Sequence, residues 1–446
     1  MAAIGAYLSG ILGLALRILL MQTSFPKWLQ TRNEVVTPVT AWDRVEEGFS
    51  LQKEFVSPYS GDLLHETPLA LRFLKTAYYV PFGVKGFFIM IDFFTMILLY
   101  KIAALFKDSL IREQNIEKKK YSSKAEKLVL TPEEVSSLPT LILTVHAVNP
   151  FSIMTLLAMS TASLSNLVTL AALYYFLKGN QLMCTLFLAV STYQTFYPVI
   201  FIVPAALQFY LLKEKEVNPQ CESSKSYWSK EAITSYLQTV GLFLFFVTFL
   251  LGISYLYLEG SLDFIYSTYG FILTVPDLTP NVGVFWYFFT EMFDHFRTFF
   301  VCVFQLNAVI YTVPLSVKFA KTPFFLLYIL LFLTSIFKSY PSYADAALYT
   351  SLLPLWRHTF SYFRNSLFVG GMYICCMVLA PILYHLWIFA GSANANFYFA
   401  ITLTYSTAQI FLVTDLLFAY LRRDYDLYNG TEHKNVDGTK AAIVLE

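Results

Sequence analysis

Charge is scarce in this 446-residue chain: Asp, Glu, Lys and Arg make up 14% of it. A soluble globular domain carries about 25%, so an ordinary water-soluble fold is excluded. Neither sign dominates, because 31 basic against 30 acidic residues leave a net charge of +1, which argues against a bulk nucleic-acid partner. Cysteine is sparse too. Of Cys184, Cys221, Cys302, Cys375 and Cys376, four lie in apolar runs and no pair has metal-ligand spacing. That speaks against a disulfide framework or a thiolate metal site. The histidines, His65, His146, His295, His358, His385 and His433, are scattered, so no Cys–His nucleophile has sequence support. GxSxG, P-loop, GxGxxG and HExxH signatures are all missing. Nothing points to a cofactor, and catalysis by this chain is not expected.

What is abundant is apolar sequence in unbroken runs. Stretches 87–106, 234–258, 299–317, 368–388 and 397–421 are each near or above the ~18–20 residues a helix needs to cross hydrocarbon at 1.5 Å per residue. They lack the period-two alternation of an outer-membrane barrel. The fold class is therefore an all-α polytopic membrane protein, a single transmembrane domain over 1–446. Twelve spans are expected, near 4–22, 86–106, 139–157, 163–178, 181–195, 197–212, 232–257, 298–317, 323–338, 343–356, 366–389 and 397–420. The first carries Arg17 and no small-x-small site precedes Lys27, so it reads as an uncleaved helix. Pro198, Pro204, Pro341 and Pro354 mark short spans that are kinked or buried by neighbours.

Lysine and arginine give the orientation, because basic loops stay cytosolic. The stretch 107–127 holds seven of them, and Lys213, Lys215, Lys318, Lys321, Arg357, Arg364, Arg422 and Arg423 fall on the same side. Stretches 259–282 and 391–396 hold none. Both termini are expected in the cytosol, with a basic loop at 107–139, a second at 213–230 and a tail at 421–446. The lumen is expected to receive a first loop at 27–85, an aromatic interfacial segment at 259–297 and a turn at 391–396. The sequon Asn429-Gly430-Thr431 then lies on the cytosolic side, unmodified. Lys225 and Lys230 are candidates for anionic lipid, unless they simply obey the topology rule.

The first lumenal loop offers Asp43, Glu46, Glu47, Asp62 and Glu66, with His65 beside the last. Lumenal glycosyltransferases that use dolichol-phosphate sugars need a carboxylate at the membrane surface as base or metal ligand. Val45-Glu46-Glu47-Gly48, Ser57-Pro58-Tyr59 and Thr67-Pro68-Leu69 resemble the first lumenal loop of GPI mannosyltransferase I. Where that family has an acidic D-x-D pair, Thr40-Ala41-Trp42-Asp43 keeps one acid. These carboxylates read mainly as helix caps or solvent-facing groups.

Four further motifs are more specific. They are Tyr193-Gln194-Thr195-Phe196-Tyr197-Pro198, Phe337-Lys338-Ser339-Tyr340-Pro341, Phe271 to Asn281 running into Phe285-Trp286-Tyr287-Phe288-Phe289, and His385 to Tyr398. With them the chain resembles the GPI transamidase subunit family PIG-U over essentially its whole length, the 107–139 and 213–230 loops matching poorly. The resemblance implies a multi-pass fold akin to dolichol-sugar-dependent transferases, without their activity. It also implies an endoplasmic-reticulum membrane complex. There a separate cysteine-protease-like subunit supplies Cys–His chemistry and joins a proprotein's new carboxyl end to GPI, while this family holds the GPI lipid.

Asn394 and Asn396 then become candidate GPI-binding residues, since each amide offers two donors and an acceptor to sugar hydroxyls or phosphate. Turn and cap duty is their alternative. Asp277 and Asn281, between Pro276 and Pro280, are weaker candidates with turn rigidity as the alternative. Arg297 suits a phosphate, unless Glu291–His295 and Asp294–Arg297 satisfy each other on one helix. Lys338 reads as paired or snorkelling. The rival function is an active dolichol-phosphate-sugar-dependent glycosyltransferase with Asp43, Asp62 or Glu66 as base. A transporter fits less well, because among Asp, Glu, Lys and Arg the spans 232–257, 366–389 and 397–420 contain only Asp415.

Overall fold

A computed structural model describes residues 2–217 and 227–431; Cys221, Lys225, His433 and the tail beyond 431 lie outside the described residues. The described residues are mostly helical, with no strand. Long apolar sequence leaves a backbone no water to bond, and a helix satisfies its own N–H and C=O groups. Five helices are long and apolar enough to cross a membrane: Gly83–Lys120, Lys230–Tyr257, Asp294–Lys318, Ser366–Ile388 and Ala395–Asn429. A sixth is added if Ser123–Ser136 and Leu138–Val148, bent by 67°, form one span. All twelve expected segments are helical, but Ala162–Lys178, Gln181–Thr195, Ile202–Val217, Pro323–Phe337 and Tyr343–Leu352 are short.

Several expected spans break where the sequence forces it. The 139–157 segment is two helices, Leu138–Val148 and Pro150–Leu157. Asn149 between them is extended, as residues before proline tend to be, and its side chain accepts from the Phe151 N–H at 3.1 Å to cap the second helix. After Phe196, held at φ +64°, Tyr197–Phe201 forms a 3-10 turn before Ile202–Val217 begins. In the other direction, the helix expected to end near 106 runs on to Glu117, so the basic 107–139 stretch is largely helical.

Pro323–Phe337 lies at the centre of the core, buried along nearly its whole length. Arg17 fastens the first helix to this body. It is fully buried, with Nε 2.9 Å from Asp92 Oδ2, and its Nη groups donate to Ala147 O at 2.7 Å, His146 O at 2.9 Å and Ser152 Oγ at 2.9 Å. His146 Nε2 lies 3.1 Å from Asp92 Oδ1. Gly13 permits the approach, since a Cβ there would sit 2.6 Å from Ala147 Cβ. A charge inside an apolar run survives because it is paired and bonded.

Two 35-residue helices, Gly83–Glu117 and Ala395–Asn429, each about 52 Å long at 1.5 Å per residue, connect two poles. At one pole, parts of 27–85, 259–297 and 391–396 meet. At the other, Ser122 N donates to Leu427 O at 2.9 Å, Arg423 Nη2 to Leu128 O at 2.8 Å, and Tyr428 OH to Glu117 Oε2 at 2.9 Å.

Candidate functional site

At the first pole the separate motifs converge. Phe271–Thr274 ends at Val275, a β-branched residue held at φ +52°, where strain needs outside support. Arg297 supplies it: Nη2 donates to Val275 O at 2.6 Å, and the guanidinium lies 5.5 Å over the Phe289 ring. Asp277 Oδ1 accepts from Thr279 N at 2.9 Å and Thr279 Oγ1 at 2.5 Å, while Oδ2 accepts from Arg44 Nη2 at 3.0 Å. Burial pushes this carboxyl up, but Thr279 and Arg44 outweigh it and hold it below its ordinary value.

Arg44 also donates through Nη1 to His65 Nε2 at 3.2 Å, so the proton of the neutral ring sits on Nδ1 and is donated to Ser267 O at 2.8 Å. Burial lowers the His65 pKa to about 4 against the pull of Ser267. The imidazole stacks on Phe271 at 3.5 Å and Phe271 on Tyr340 at 5.2 Å, and Tyr340 OH donates to Asp277 O at 3.0 Å. Tyr197 OH donates to Gln305 Oε1 at 2.9 Å and accepts from Ser339 N at 3.0 Å. Asn281 is buried, and its Oδ1 takes the Gly283 N–H at 2.8 Å. Gly283 in turn abuts Pro341, where a Cβ would approach to 2.6 Å. The side chains of Asp277, Asn281 and Arg297 are thus engaged in building the turn.

Beside this turn lies a more open surface. Asn394 caps the Ala395–Asn429 helix, its Oδ1 accepting from Asn396 N at 3.1 Å. Asn396 Oδ1 accepts from Tyr287 OH, and Tyr287 stacks on Phe399 at 4.3 Å. Trp286 is buried between Trp387 at 6.1 Å and Tyr398 at 5.9 Å, its indole N–H unpartnered. Tyr398 OH donates to Glu34 at 3.0 Å, which ties the wall to the first loop. Both asparagines are exposed, and among the described residues neither Nδ2 donates to protein.

Other candidates separate. Glu291 ends the Phe285–Glu291 helix and Asp294 begins Asp294–Val309, so Glu291–His295 does not share a helix. Among the described residues neither that pair nor Asp294–Arg297 forms an ion pair. Lys338 is paired, with Nζ 2.6 Å from Asp345 Oδ1. Lys230 is exposed at the start of its helix. Asp43 sits in the first turn of Trp42–Lys53, Glu46 accepts from Trp42 Nε1 at 2.7 Å and Asp62 is exposed.

Glu66 departs from the bland expectation. It lines a cavity of about 100 Å³ with Thr161, Asn166, Gln194, Lys338 and Asp345. Burial pushes its carboxyl up to about 7, opposed by the Thr161 hydroxyl. Asn166, Gln194, Arg44 and Asp345 were not singled out from sequence. The available signal was polar residues inside apolar runs, which usually line a cavity or pair with one another.

Among the described residues no group of three or more His, Cys, Asp or Glu gathers to hold a metal. Fold and site together define a many-helix membrane protein with an aromatic, hydrogen-bonding surface at one pole. The family described as GPI transamidase subunit PIG-U matches residues 11–405. The chain is 39% identical over 440 residues to GPI-anchor transamidase component PIGU of Homo sapiens, with 98% of each chain covered. The same figures hold for the Cricetulus griseus protein of that name. GPI transamidase component GAB1 of Saccharomyces cerevisiae is 28% identical over 418 residues, 94% of each chain. The chain belongs to the PIG-U family of GPI transamidase subunits.

Proposed function

We propose that this subunit recognises the GPI lipid and presents it for attachment to the C-terminus of proproteins, while Cys–His catalysis resides in another chain of the complex. The observation that carries the reading is the Asn394–Asn396 turn: two exposed amides with free Nδ2 donors, set against the Tyr287, Trp286 and Phe399 rings. Amides and aromatic faces suit hydroxyls and phosphate at the level where a headgroup leaves the bilayer. Asp277, Asn281 and Arg297 serve the site by fixing the turn beneath it rather than by free contact. The subunit resides in the endoplasmic-reticulum membrane with both termini cytosolic, and the pole containing 27–85, 259–297 and 391–396 faces the lumen. The basic residues of 107–127 and their absence from 259–282 and 391–396 support this orientation. The shorter helices complete about twelve crossings in a fold like that of dolichol-sugar-dependent transferases. Lys225 and Lys230 attract anionic lipid on the cytosolic side.

The test is the Asn394→Ala/Asn396→Ala pair in cells. We expect an intact complex that accumulates complete GPI and unprocessed proprotein. A complex that fails to assemble assigns the asparagines to turn formation, and normal anchor transfer removes them from the site. The active-transferase reading draws support from one observation, the position of Glu66 in a polar cavity. It requires Glu66→Gln to accumulate an underglycosylated GPI precursor.

A further inference from the structure

The Glu66 cavity lies behind the aromatic turn and is walled by six stretches: the first loop, the start of Ala162–Lys178, the Gln194–Pro198 corner, Ile272, the end of Pro323–Phe337 and the Lys338–Asp345 region. The cavity, about 100 Å³, has room for several waters, so a small polar ligand group can take their place.

The wall chemistry is mixed in a particular way. Lys338 and Asp345 neutralise each other at 2.6 Å, and Asp345 Oδ2 also takes the Ser342 N–H at 2.9 Å. Among the described residues Glu66 forms no ion pair: the Thr161 hydroxyl is the group that stabilises its charge, and His65 next to it is neutral and committed to Arg44 and Ser267. Tyr59 and Tyr193, the other titratable groups near it, bring no positive charge. A half-buried carboxylate that lines a cavity without a cation beside it is an incomplete arrangement. Hydroxyl-matching groups are also left over. Among the described residues Gln194 Oε1 is buried without a donor, and Asn166, which gives its Nδ2 to Ala344 O at 2.8 Å, also lines the cavity. Tyr197 and Tyr340 add ring surface.

We propose that this cavity is a subsite for an amine-bearing, polyhydroxylated headgroup unit, Glu66 taking the ammonium while Thr161, Asn166 and Gln194 take hydroxyls. The assignment rests on the lipid-presentation reading and names the part of the headgroup that this chain selects.

The experiment uses the detergent-solubilised complex carrying the full chain, with glucosamine, glucose and ethanolamine as separate probes followed by saturation-transfer NMR near neutral pH. Glucosamine is expected to bind, with glucose and ethanolamine each weaker. Glu66→Gln should weaken glucosamine roughly 10- to 100-fold, the loss of one charge-assisted contact. Glu66→Asp, which keeps the charge, should retain more binding than Glu66→Gln. Equal binding of glucose, equal binding of ethanolamine, or an unchanged Glu66→Gln complex overturns the proposal. If these fail while GPI capture still depends on Asn394 and Asn396, the cavity assignment alone falls. If neither dependence is found, the lipid reading beneath it falls too.

Discussion

At the residue scale, Glu66 and His65 are neighbours with opposite titration behaviour. The folded pKa of Glu66, about 7, lies above its ordinary 4.5. The folded chain therefore holds a proton that the unfolded chain has already lost. Stability from this group is full below about 4.5 and is lost as pH rises through about 7. His65 is shifted down from 6.5 to about 4, so its contribution is full above 6.5 and is lost as pH falls through 4. Glu66→Gln should accordingly raise thermal stability at pH 8 by about 3 kcal/mol at most. The gain should shrink as the pH is lowered towards 4.5. Thermal melts of the purified complex at both ends of that range check this, and a pH-independent difference contradicts it. A stabilising change that costs function is the usual pattern where a site stores an unpaired charge. Asn394 and Asn396 were legible from sequence as a polar turn between apolar runs. Glu66 was visible as an acid in the first loop, but its cavity was not. The walls come from stretches spread between Val39 and Leu348, and no local pattern encodes their meeting.

At the scale of elements, hydropathy placed the helices well because hydrocarbon and backbone hydrogen bonding leave few alternatives. It failed where local chemistry overrides a run of apolar residues. Asn149-Pro150 divides one expected span, and the break after Glu291 separates side chains that would otherwise share a helix face. Arg17 shows the same limit from the other side. Its position inside an apolar helix was plain, but its partners Asp92, His146 and Ser152 belong to other elements. Arg17→Ala leaves Asp92 buried without its guanidinium, only His146 remaining beside it, which should cost about 3–5 kcal/mol and sharply reduce subunit abundance. Arg17→Met combined with Asp92→Leu should recover much of it, as buried pairs replaced by apolar groups often do. Quantitative immunoblotting of the single and double variants measures this; equal loss in both argues for a role beyond pairing. Gly283→Ala should also damage the turn after Asn281, because the new methyl has no room against Pro341.

At the scale of the molecule, the charge asymmetry of the loops supports the proposed orientation. The sequon at Asn429 provides a simple check, being exposed at the end of the last long helix. It should remain without glycan, and an endoglycosidase-sensitive shift that disappears in Asn429→Gln would invert the proposed topology. If the subunit holds GPI through the asparagine turn, lipid occupancy must depend on Asn394 and Asn396. Mass spectrometry of GPI co-purifying with the intact complex can compare wild type with Asn394→Ala/Asn396→Ala. Losing two hydrogen-bonding amides should weaken the lipid by about 2–3 kcal/mol, or roughly 30- to 150-fold. The expected result is an assembled complex nearly stripped of GPI; an assembled complex with wild-type GPI content would rule out binding through this turn.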